Sequence, residues 1–278
     1  MKIDCDLFHI ALPRSGTNNK SSTMSLLNDP MVLTCSLIAV ILVGLSRGGF
    51  GGAMGILGVP VMALALPPVQ AAAILLPILI LVDIVGLWSW RKEYDITTLK
   101  IMLPAAVVGL VFGGLAAVYV SDDIVRFIVG LMCIIFVLDY IRKNIGKRAG
   151  SIIAAPHNKT MGRIWGALSG FTSFISHIGA PPFQVYTLPL RLSPTVLAGT
   201  TIRFFFIVNI LKLLPYFALG QFDATNLQTS FLLMPIAPIA TFCGVWLVKR
   251  MRIETFYPLM YVLMFFAGLK LIFDIYTN

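Results

Sequence analysis

Apolar residues run almost unbroken through six stretches, 70–90, 99–120, 123–142, 195–219, 226–248 and 253–276. Each is close to the about 20 residues with which a helix crosses a hydrocarbon core of about 30 Å. Two more apolar stretches, 31–66 and 162–190, are interrupted by glycine, proline and polar residues. They are too long for one span and short for two, so each is predicted as a hairpin of two short helical legs. Because the runs are continuous rather than alternating, they argue against a membrane β-barrel.

The two interruptions repeat each other. Residues 44–60 read GLSRGGFGGAMGILGVP and residues 166–182 read GALSGFTSFISHIGAPP, with Gly44, Gly48 and Pro60 matching Gly166, Gly170 and Pro182 at a constant offset of 122. The predicted fold is therefore an all-α membrane protein, a polytopic helical bundle of two repeats, each a broken or re-entrant hairpin followed by three transmembrane helices. The expected organisation is an N-terminal tail over 1–30, a first repeat over 31–143, a basic linker over 144–161 and a second repeat over 162–278.

Charge sets the orientation. Segment 91–100 holds three Lys/Arg, 142–163 six, 190–195 one and 249–252 three, whereas 67–69, 121–123, 219–226 and 277–278 hold none. Since Lys/Arg-rich loops stay inside, the basic loops, 142–163 among them, are expected in the cytoplasm of an inner-membrane protein. One hairpin then starts outside and the other inside, so the repeats are inverted, as in carriers that open one site alternately to either side.

The chain is 58% hydrophobic and only 12% charged, with a mean hydropathy of +0.90, which leaves too little polar surface for a soluble domain. The net charge of +9 would suggest nucleic acid in a soluble protein, but here it sits in loops beside spans and is read as topology. The expected surroundings are the lipid bilayer, with no nucleic acid, and a homo-oligomer is left open. Cys5, Cys35, Cys133 and Cys243 form no CxxC pair, so neither a metal nor a redox role is expected. GGFGGAMG follows no strand and fails the dinucleotide spacing at Met54, and Walker A and HExxH are both missing. Thus neither a cofactor nor an enzyme activity is indicated, and transport would draw on a gradient.

The breaks carry the candidate chemistry. If each hairpin turns inside the membrane, the free N–H groups at the start of its second leg form an anion site, and glycine lets backbone approach the ligand. Gly48, Gly51, Gly52, Gly55 and Gly179 are candidates on this ground, and the alternative for the glycines of the first motif is close helix packing. Ser173, Ser176 and His177 add hydroxyls and an imidazole before the second turn, and His177 is also a candidate proton carrier. Charged residues in apolar segments are expensive and usually face a cavity or a partner. These are Arg47, Asp83, Arg203 and Lys212. Asp83 and Asn209 occupy matching places in the first full span of each half and are expected to face inward. For Asp83, neutralising Arg203 and carrying a coupling proton both stay open. Lys212 is assigned to snorkelling toward the outer interface, as are Lys270 and Arg126, and Asp139 to a structural role.

The glycine-rich first hairpin ending in Pro60, the second ending in Gly179-Ala180-Pro181-Pro182, and the duplicated hairpin-plus-three-span layout resemble the TauE/SafE family of sulfite and organosulfur anion exporters. The likeness covers about 31–276. It implies a multi-pass permease that moves small sulfur-containing or carboxylated anions without ATP. The expected function is export of such an anion by alternating access, with Arg47, Ser173, Ser176, His177, Arg203, Asn209 and the hairpin glycines binding it and Asp83 or His177 carrying a proton. An anion channel and an accessory protein holding a partner through 142–163 are the alternatives.

Overall fold

The computed structural model describes residues 29–50, 55, 58–117, 119–144, 153–218 and 224–277. Among them are eleven α-helices and no strand. The first half comprises α1 (Pro30–Gly49), α2 (Gly58–Ala63), α3 (Pro68–Ser89), α4 (Ile96–Ala116) and α5 (Asp122–Asn144). The second comprises α6 (Lys159–Ser176), α7 (Ala180–Thr187), α8 (Pro194–Ala218), α9 (Ala224–Leu233), α10 (Ile236–Arg250) and α11 (Ile253–Thr277).

Local sequence places the helix starts. Asp29, Asp95 and Asn158 precede α1, α4 and α6, and their side chains accept hydrogen bonds from Met31, from Thr97 and Thr98, and from Met161. Each satisfies N–H groups that the first turn leaves unpaired. Six helices are long and apolar enough to cross a membrane, namely α1, α3, α4, α5, α8 and α11. The pair α9 and α10 supplies a seventh if counted as one span. Phe112, Leu115, Ile128, Trp246 and Phe266 point outward from these helices and are exposed. An apolar outer face on apolar helices of spanning length makes the chain an all-α, multi-pass membrane protein.

Two sequence expectations are corrected here. The first hairpin does not have two short legs, because α1 runs for 20 residues, about the thickness of a bilayer core. Its glycines do not break it, since they are contact points for a neighbouring helix. Nor is 226–248 one straight span, for α9 and α10 meet at an angle of 47° across Met234–Pro235. Proline lacks the N–H that would continue the ladder, and the chain turns there.

Both hairpins fold back on themselves. In the second, Ser169 Oγ donates to the carbonyl of Gly179 at 2.7 Å, and the N–H of Ala155 ahead of α6 donates to the carbonyl of Pro189 after α7 at 2.9 Å. Its two ends therefore meet. In the first, a side chain at Gly55 would lie against Ser46, while Met62 and Leu66 share a core with Val32 at the start of α1.

The packing between halves follows one pattern: α1 lies on α10, α6 on α4, α3 on α8 and α5 on α11. The first two contacts are made backbone to backbone. A Cβ on Gly48 would come within 2.7 Å of the Gly244 Cα, and one on Gly170 within 2.7 Å of the Ala106 carbonyl carbon. Without a hydrophobic effect between helices in lipid, such close approach maximises dispersion and is the main source of cohesion. The loops at one end also come together. Arg203 bonds the carbonyls of Trp90 and Arg91, the Lys249 ammonium lies over the Trp90 ring, and Tyr257 donates to the carbonyl of Leu192.

Gly244→Val should separate α1 from α10 and destabilise the protein by about 1–3 kcal/mol or more, the usual cost of overpacking. Gly114→Ala, whose new methyl would meet only the Phe174 ring at 3.4 Å, should be tolerated. Thermal unfolding of the two variants in detergent, followed by tryptophan fluorescence, checks the contrast.

Candidate functional site

The tips of the two hairpins, together with α3 and α8, enclose a cavity of about 40 Å³. The first hairpin contributes Arg47, Gly55 and Val59, and the second Ser173, His177 and Ala180. From α8 come Phe205, Asn209 and Lys212, while Val43, Leu75 and Leu79 complete an apolar wall. That volume, about three times the minimum for one water, suits a few waters or a small ion.

Three charges sit in this apolar setting. Asp83, fully buried, accepts a hydrogen bond from Asn209 Nδ2 at 2.7 Å on one carboxylate oxygen. Its other oxygen lies 3.5 Å from Arg47 Nη1, and neither of those two atoms makes a hydrogen bond among the described residues. The Arg47 guanidinium also rests over the Phe205 ring, 4.8 Å from its centre. Lys212, only 1% exposed, donates to the carbonyl and the hydroxyl of Ser173 at 3.0 and 3.1 Å and lies 3.3 Å from His177 Nδ1. An ammonium has three protons to place, and this geometry places all three if the His177 ring keeps its own proton on Nε2. Two cations thus face one carboxylate, and the surplus is positive.

The backbone is arranged to hold this cluster. His177 ends α6 with φ of 57°, which non-glycine residues rarely adopt, and its N–H returns to the carbonyl of Thr172. The turn closes as the single hydroxyl proton of Thr172 is shared between the Leu168 and Ile178 carbonyls, so that α7 starts against the cavity at Ala180. Strain held in place by surrounding bonds is a mark of functional sites.

The candidate residues divide as follows. Arg47, Asp83, Gly55, Ser173, His177 and Asn209 are brought together at or against the cavity. Ser176 faces a neighbouring cavity on the other side of His177. Gly51 and Gly52 lie outside the described residues. Gly48 packs on α10, and its carbonyl accepts from the Trp90 indole at 3.0 Å. Gly179 touches Ser169 and Ser173 rather than lining the space.

Arg203 is placed elsewhere. Its guanidinium donates to the carbonyls of Trp90, Arg91 and Gly199 and stacks over Tyr94 at 4.0 Å, so it latches the loop after α3. Neutralisation of Asp83 by Arg203 is therefore corrected, since Arg47 is the residue beside that carboxylate. Snorkelling is corrected for three residues. Lys212 is buried in the cluster, because α8 lies inside the bundle and its end here meets the second hairpin. Arg126 and Lys270 both turn to the buried Asp274, the former at 4.0 Å. A carboxylate inside the bundle is a nearer partner for a cation than the lipid interface. Helical spacing contained the missing signal for Lys212, which stands three residues after the inward-facing Asn209 and on the same side of the helix.

A multi-pass helical bundle with a small cavity between two folded-back hairpins fits a membrane transporter. A family model described as "Sulfite exporter TauE/SafE" matches residues 36–271, and the chain belongs to that family. The family match gives the kind of cargo, an anion of the sulfite type. Neither a curated protein nor a solved structure matches it significantly.

Arg203→Gln should lower the stability of the fold by about 1–3 kcal/mol through lost charge-assisted hydrogen bonds, while transport per folded molecule stays at the wild-type level. Thermal unfolding alongside proteoliposome uptake separates the two effects.

Proposed function

We propose that the protein is a secondary permease that exports a small sulfur-containing oxyanion such as sulfite, or a related sulfonate or carboxylate, by alternating access. The observation that carries this reading is the pair of cations, the partly buried Arg47 and the buried Lys212, set against a single carboxylate at a cavity between the hairpin tips. Cations inside a membrane protein are costly, and a net surplus becomes favourable when an anion occupies the space. The Arg47–Asp83 contact is loose and leaves a guanidinium N–H available to an arriving oxygen. Leu75, Leu79 and Phe205 keep water few, so each charge interaction is strong.

The reciprocal packing, in which the first helix of each half rests on a later helix of the other, supports an inverted pair of repeats. In such a pair, exchanging the two hairpin environments would open the cavity to opposite sides in turn. The gathering of basic loops at one end supports a cytoplasmic assignment for that end in an inner membrane. Asp83 and His177 are our candidates at the cavity for carrying a proton, which would couple export to the proton gradient.

In proteoliposomes, uptake of radiolabelled sulfite should saturate and show counterflow. Arg47→Gln and Lys212→Gln should each lower flux about thirtyfold or more, since losing one partner of a buried, hydrogen-bonded charge contact to a ligand typically costs about 2–5 kcal/mol of binding. Ohmic current without saturation would overturn the carrier reading in favour of a channel. Asp83→Asn should abolish any stimulation of flux by an imposed pH gradient, with His177→Gln as the alternative carrier variant; stimulation that survives both removes proton coupling through this site.

A further inference from the structure

A recess of about 310 Å³ opens at the end of the bundle that carries the basic loops. Trp90, Arg91, Lys92 and Glu93 after α3 line it together with Thr195 at the start of α8 and Lys249 at the end of α10. That volume falls in the range of about 300–1,000 Å³ in which small molecules are held. No lining residue is common to this recess and the cavity between the hairpin tips, so the two are separate spaces. Trp90, fully buried and donating to the Gly48 carbonyl at 3.0 Å, gives the recess a fixed floor.

Its charge is positive. Three cations line it against the one carboxylate of Glu93, which already accepts from the Thr195 hydroxyl at 3.4 Å. Among the described residues, Arg91, Lys92 and Lys249 take part in no salt bridge. The Lys249 ammonium instead lies over the Trp90 ring, 5.4 Å from its centre.

The approach from the lipid side is aromatic. Phe242, Trp246 and Lys249 are spaced by four and three residues and share one face of α10, on which Phe242 is 45% and Trp246 55% exposed. Trp88, also exposed, meets the Phe242 ring edge to face, and the Arg250 guanidinium sits 4.1 Å above the Trp246 ring. Exposed tryptophans at the ends of spanning helices mark the depth of lipid headgroups. A stripe of rings open to lipid therefore runs into a basic recess, an approach that a dissolved ion does not need.

We propose that the recess is a headgroup site for an anionic phospholipid, whose phosphate is taken by Lys249, Arg91 and Lys92 while an acyl chain lies along Trp246 and Phe242. Phosphatidylglycerol, with one net negative charge, has the matching chemistry, whereas phosphatidylcholine would set its own ammonium among three cations. The bound lipid bridges the loop after α3 to the ends of α8 and α10. Those helices carry Asp83, Lys212 and the seat of α1, so lipid binding stabilises the arrangement around the central cavity.

Thermal unfolding of the full chain in detergent, titrated with lipid, tests this. Phosphatidylglycerol should raise Tm saturably and phosphatidylcholine should not, because a ligand bound only by the folded form stabilises it. Lys249→Gln and Arg91→Gln should each raise the half-saturating phosphatidylglycerol concentration about fivefold, the equivalent of about 1 kcal/mol per basic residue beside anionic lipid. Trp246→Ala should shift it in the same direction. Lys159→Gln removes the same charge from the exposed start of α6, outside the recess, and should leave it unchanged. The response to lipid is read against each variant's own lipid-free Tm, so a loss of stability alone does not imitate the effect. Equal stabilisation by phosphatidylcholine, or equal weakening by Lys159→Gln, overturns the site in favour of general attraction to the membrane. A saturable rise in Tm with inorganic phosphate alone, lost in Lys249→Gln, overturns the lipid in favour of a dissolved anion. None of these outcomes depends on flux, so the carrier reading stands or falls separately.

Discussion

Two cations and one carboxylate share an apolar interior, and the rest of the architecture is arranged around that expense. Arg47 arrives from the end of α1, Asp83 from α3, and Lys212 from α8, so the cluster ties elements of both halves. None would be stable there alone. Asn209 holds the carboxylate, the Ser173 backbone and hydroxyl hold the ammonium, and Phe205 faces the guanidinium. An aqueous protein would spread such charges over its surface at almost no cost. In lipid they are retained where an anion completes them.

The second requirement is closeness. Bringing hairpin tips and helices to one small space demands that helices approach nearer than side chains allow, and Gly48 against Gly244 and Gly170 against Ala106 meet that demand. The same glycine spacing that marks the repeated motif thus acts mainly as a packing surface in α1 and α6. The turns beyond it, above all at His177, bear on the cavity.

Much of this was legible in the chain. Five of the span positions followed from continuous apolar runs, the folded-back second hairpin from its glycines and prolines, and the inward direction of Asp83 and Asn209 from their matching places. The hydrogen bond between those two residues spans 2.7 Å. Less legible was the pairing of charges. Linear position puts Lys212, Arg126 and Lys270 near span ends, where snorkelling is the ordinary fate; the i, i+4 spacing of Lys270 and Asp274 was readable, but the approach of Ser173 to Lys212 and of Arg126 to Asp274 comes from the fold. Arg203 misled in the opposite way. Its apolar neighbours in sequence hide the backbone carbonyls of the loop after α3, which answer its guanidinium. Partners contributed by backbone carry no sequence signature.

The cross-half contacts bear also on how the molecule is made. The leg α1 leaves the ribosome first among the described helices, but its glycine seam fits α10, the last helix but one. Until α10 has been threaded into the bilayer, Gly44, Gly48 and Gly49 face lipid or temporary neighbours with a notched surface that nothing else fills. Closure of the bundle is therefore a late event that waits for nearly the whole polypeptide, and a chain halted before Ile236 would leave the glycine seam of its opening helix without the helix that fits it.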